Sequence, residues 1–136
     1  YDVITTADQV QIYEPIMGDN EGKVTYTLLR GAKYLKDNRL LPNGADKAKL
    51  PADIAVYGEA AADANFVGGG DLVTYQVDVK GATGPFTFSA ELLYEPLSYQ
   101  FVQDLLRDKT PLTERFGGYY AATDKTPLRV AAIEPG

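Results

Sequence analysis

Asp19-Asn20-Glu21, Asp63-Ala64-Asn65 and Asp71 offer the hard oxygen donors that Ca²⁺ prefers, which makes Asp19, Asn20, Asp63, Asn65 and Asp71 the metal candidates. Their spacing does not match an EF-hand loop. The competing reading is local and preferred: Asp and Asn bond their own backbone and start turns. A structural calcium is therefore an expectation to be tested.

Asp37-Asn38-Arg39 is the densest polar cluster in an irregular segment. A functional reading makes Arg39 a bidentate anchor for an anion or carboxylate, held by Asp37. The plainer reading, preferred here, has Arg39 tying its loop down through a local ion pair and backbone carbonyls. The chain has 10 Tyr and no Trp, and exposed Tyr rings stack on sugars or form protein contact surfaces. Tyr26, Tyr75 and Tyr94 fall on apolar strand faces and are expected in the core. Tyr119-Tyr120, beside Gly117-Gly118, is the expected exposed pair, although core or rim packing accounts for most of the Tyr residues.

For catalysis no set is persuasive. Glu14, Glu91 and Glu95 are the carboxylates a glycosidase would need in pairs, but Glu91 falls on a solvated strand position. Cys and His are both absent. The chain alone therefore builds no disulfide, thiolate nucleophile, imidazole base, Cys/His zinc site or covalent haem attachment. A nucleophile would have to be Ser, Thr or Lys activated by a neighbour, and the expectation is a protein that is not an enzyme.

The composition narrows the partners. The 136 residues fall within the range of one domain able to bury a core without staples, and a single domain over 1–136 is expected. The net charge is −6, with 13 basic residues scattered among 19 acidic ones, which argues against a nucleic-acid or anionic-membrane footprint. No apolar run approaches a membrane span, and there is no basic-then-apolar signal segment at the start. The lack of Cys assigns no redox compartment. Tyr1-Asp2-Val3-Ile4 lacks an initiator Met, which suggests a processed chain, an excised domain, or the ordered part of something longer.

The elements that would position these residues are mainly strands. Gly68-Gly69-Gly70 leads into Val73, Tyr75, Val77 and Val79, which alternate with Thr74, Gln76 and Asp78. Phe86, Phe88, Ala90, Leu92 and Tyr94 alternate in the same way. Lys80-Gly81-Ala82-Thr83-Gly84-Pro85 between them is rich in turn formers, so one long antiparallel hairpin is expected. Upstream, Asp8–Glu14 reads as an early strand with Val10 and Ile12 inward. Pro15 should mark a sheet edge or bulge. Gly18–Gly22 reads as a turn, and Lys23–Arg30 as the returning strand.

From Gly31 to Pro51 the pattern loosens: Ala32–Lys36 is open between a continuing strand and one helical turn, and the Asp37–Gly44 stretch is expected to be an ordered loop anchored by Leu40 and Leu41. Ile54–Gly58 reads as a short strand, and Glu59–Phe66 is open between a helical turn and a loop. Pro96 opens a helical stripe of Leu97, Phe101 and Leu105, and Thr110-Pro111 opens a second helix carrying Leu112 and Phe116, ended or loosened by Gly117-Gly118. Pro127–Ile133 is the last strand. These elements predict a mainly β fold: an antiparallel β-sandwich, jelly-roll or Ig-like, of about six strands with one or two short C-terminal helices.

Several phrases in order resemble one family. They are Tyr13-Glu14 through Met17-Gly18-Asp19, Thr27-Leu28-Leu29-Arg30, Lys36-Asp37-Asn38-Arg39-Leu40-Leu41-Pro42, Asp63-Ala64-Asn65-Phe66, Gly70-Asp71 and Val73-Thr74-Tyr75. Over residues 8 to 94 the chain looks like the haem-free C-terminal β domain attached to some secreted bacterial multihaem c-type cytochromes. Such cytochromes carry Cys-x-x-Cys-His haem sites and this chain has none, so it would be the appended domain alone. The resemblance supplies no functional residues. It implies a periplasmic or extracellular setting, a haem-bearing domain or cytochrome as partner, and a supporting role in packing, assembly or docking.

The leading expectation is an interaction or structural module associated with a haem protein, which should leave an apolar or aromatic patch bare. A carbohydrate-binding sandwich with a structural calcium, its partner a glycan, is the alternative. A subunit of an extracellular fibre that exchanges edge strands is a third.

Overall fold

The computed structural model describes residues 3–133, which divide into two compact units, one reaching Lys80 and the other starting at Gly81. The N-terminal unit is built on a three-stranded antiparallel sheet of β2 (Pro15–Gly18), β3 (Val24–Thr25) and β4 (Lys33–Asp37), in the order β3-β2-β4. Pro15 opens the central strand, where its missing N–H is tolerated, and the register shifts between Ile16 and Met17. Between β2 and β3 the Asp19 carboxylate accepts from the backbone N–H groups of Glu21 and Lys23, each at 2.9 Å, and Gly22 turns the chain at φ +83°. This is the expected turn, though the strand that follows is only Val24–Thr25, and Leu28–Arg30 forms a 3₁₀ turn.

The expected early strand over 8–14 is absent. Segment 9–14 forms no ladder, and side chains described below hold its backbone. Ile54–Gly58 is reduced to a bridge between Tyr57 and Asp37. Glu59–Ala62 resolves to one helical turn, α1. β1 (Val3–Ile4) pairs in parallel with β5 (Thr74–Tyr75) as a separate two-stranded sheet. The glycine run serves close packing: a Cβ on Gly68 would meet the Ala45 carbonyl oxygen and lie 2.7 Å from its nitrogen, and Gly69 stands at φ +89° against Asn43.

The C-terminal unit holds β6 (Ala90–Tyr94), α2 (Tyr99–Leu105), α3 (Pro111–Ala122) and β7 (Leu128–Ile133). β6 and β7 form an antiparallel two-stranded ladder. α2 starts later than Pro96 suggested, because Ser98 caps it through the Phe101 N–H. α3 begins as its sequence signal requires: Thr110 caps it, Thr113 completes a capping box, and Pro111 sits in the first turn. Gly117-Gly118 does not end it, and the helix runs on to Ala122.

The β-sandwich expectation is corrected by this pairing. The described strands form three separate sheets of only two or three strands each, one of them parallel, in place of the two multi-stranded antiparallel layers a sandwich needs. The long hairpin is replaced as well: of its two runs, only Thr74–Tyr75 and Ala90–Tyr94 are strands, and they pair with β1 and β7. Alternation specifies a strand face but names neither its partner nor what covers it. Here the alternating residues are bare: Val77, Phe88, Tyr75 and Tyr94 are each more than half exposed, so two of the three tyrosines expected in the core are outside it, and the third, Tyr26, is half-buried. Among the described residues, only Ile4, Phe66 and Val102 are buried hydrophobic residues. The chain exposes 10588 Å². A compact monomer of its 14.8 kDa would expose about 7,000 Å², and two separate compact bodies of the units' lengths about 8,400 Å².

Candidate functional site

Asp37 and Asn38 are both almost fully buried at the end of β4. The Asn38 amide behaves as a strand would: its Nδ2 donates to the Ile12 carbonyl at 3.0 Å and its Oδ1 accepts from the Glu14 N–H at 2.9 Å. Lys36 adds a bond from its Nζ to the same Ile12 carbonyl and an ion pair with Glu14 at 3.6 Å. These bonds occupy the Ile12 carbonyl and the Glu14 N–H of a segment that has no ladder. Arg39 closes a two-point pair on Asp37, Nε to Oδ1 at 2.9 Å and Nη2 to Oδ2 at 2.6 Å, which raises the guanidinium above its ordinary value. The Asp37-Asn38-Arg39 cluster is thus a clamp on its own unit, and Arg39 is committed to Asp37.

The metal candidates separate into two places. Asp19 and Asn20 lie at the β2–β3 turn, where Asp19 is spent on backbone N–H groups. Asp63, Asn65 and Asp71 line one cavity of about 760 Å³ in the N-terminal unit, together with Gln11, Glu59 and Phe66. Its wall is set by short-range bonds: Asp63 Oδ1 accepts from the Asn65 N–H at 2.9 Å, and Asn65 Oδ1 accepts from the Leu72 N–H at 3.0 Å. The Lys47 ammonium donates to the carbonyls of Ala60 and Asp63 and lies 5.9 Å from the Phe66 ring centre. Asp71 Oδ2 accepts from the Tyr13 hydroxyl at 2.8 Å and from Gln11 Nε2 at 3.4 Å. Burial first, and then the bond to Asp71, push the Tyr13 hydroxyl well above the ordinary phenol range. Asp71 Oδ1 is buried without a protein partner. No group of three or more His, Cys, Asp or Glu side chains with metal-binding geometry occurs among the described residues.

Gln11, Tyr13 and Lys47 escaped sequence reasoning. A signal existed for two of them: Gln11 and Tyr13 are two apart in an extended segment and so share a face.

In the C-terminal unit the candidate tyrosines diverge. Tyr119 is 67% exposed, whereas Tyr120 is half-buried, stacked on Phe116 at 6.0 Å, with the Lys125 ammonium 5.1 Å from its ring centre. Adjacent helical residues cannot share a direction, so the two rings are not a stacking platform.

The ladder leaves bare the strand face that the alternation of Ala90, Leu92 and Tyr94 patterns for burial. Its register places Ala90 beside Ile133, Leu92 beside Ala131 and Tyr94 beside Leu128, all on one face, with Val130 bulged out. The other face carries Leu93 and the Arg129–Glu91 ion pair at 3.2 Å. The first face is apolar apart from the Tyr94 hydroxyl, and every residue of both strands is exposed.

Compared with protein-family models, curated proteins and solved structures, the chain has no match. No helix among the described residues is long and apolar enough to cross a membrane.

Proposed function

We propose that the chain is a non-catalytic interaction module, joined to or docked on the haem-bearing part of an extracytoplasmic multihaem electron-transfer protein. The observation that carries this reading is the bare apolar face of the β6–β7 ladder, where Tyr94 is 55%, Leu128 66% and Ile133 72% exposed. An isolated two-stranded ladder is marginal in water, and a contiguous apolar face of this kind is a docking surface in need of cover. The haem belongs to the partner in this reading, because the chain has no Cys to form the thioether bonds of a c-type haem and no His to complete its attachment motif. The family phrases supply the partner's class and the periplasmic or extracellular setting.

A haem-stained denaturing gel of the source material, probed with an antibody to this chain, tests the assignment. A large haem-positive band carrying the epitope is expected for an appended domain. For a docked module, a native gel should show the epitope comigrating with haem. An epitope migrating near 15 kDa on the denaturing gel, and apart from haem under native conditions, overturns the proposal.

A second reading rests on the cavity, where Asp63, Asn65 and Asp71 converge and Asp71 Oδ1 lacks a protein partner. Oxygen donors of this type suit a structural calcium or the hydroxyls of a glycan. A ligand that binds only the native state raises its melting temperature by mass action. Calcium should therefore raise the melting point and a chelator should lower it, with Asp71→Asn insensitive to both. Unchanged melting removes calcium, and flat titrations against a glycan panel remove the rest.

A further inference from the structure

We draw no further inference here: the strongest candidate, the exposed apolar face of the β6–β7 ladder in the C-terminal unit, belongs to the docking surface already described, and nothing in the structure shows what covers it.

Discussion

Asn38 holds segment 12–14 in place of a neighbouring strand, with one amide meeting a backbone carbonyl and a backbone N–H. Replacing it by Ala takes the partner from the Glu14 N–H and leaves the Ile12 carbonyl with the Lys36 ammonium alone, at a cost of about 1–2 kcal/mol, read as a lower urea midpoint with an unchanged slope. Loss of less than a few tenths would mean that water satisfies the Glu14 N–H. Tyr13 gives a pH signature. Its folded pKa is raised, so its contribution is full below the unfolded value of about 10 and is lost as pH rises through the folded value. Urea midpoints measured between about pH 8 and 11 should fall more steeply for the wild type than for Tyr13→Phe. Equal slopes would show that the phenol is no more buried than a surface Tyr. At neutral pH the Phe variant should also be weaker by about 1–2 kcal/mol, since Asp71 loses a donor.

Much at this scale was legible because the bonds are local. Asp19 at the turn, Thr110 at the α3 cap and the Asp37–Arg39 pair all act within four residues of sequence. The Tyr13–Asp71 contact spans 58 residues and the Asn38 clamp 24. No periodicity encodes a side chain that substitutes for a strand.

Among elements, the short contacts of Gly68 decide how the Gly68–Gly70 run packs on the Pro42–Ala45 turn. Gly68→Ala drives a methyl into the Ala45 backbone and should cost about 3 kcal/mol. Gly70→Ala meets nothing within 4 Å and should cost well under half of that. Comparable losses at the two positions in thermal unfolding would mean that the turn yields. The helices and last strand were legible through a capping residue, Pro111 and apolar spacing. The strand pairings were not, since the alternating runs at 73–79 and 86–94 look complementary while β5 and β6 take other partners. Gly117-Gly118 misled in a related way: glycine weakens a helix by about 1 kcal/mol but does not stop one already capped and nucleated.

For the whole molecule, surface exceeds what either one compact body or two would show, and the excess includes strand residues patterned for burial. The sandwich expectation shares this root, because a sequence that encodes apolar strand faces does not state that the covering layer lies within the same chain. If a haem-bearing partner supplies that layer, the ladder amides should be the part of this chain most changed by assembly. Hydrogen–deuterium exchange of Ala90–Tyr94 and Leu128–Ile133, compared between the isolated chain and the haem-bearing assembly, measures this directly. Rapid exchange in the isolated chain and strong protection in the assembly are expected. Equal exchange in the two states would contradict the ladder's role as the docking surface.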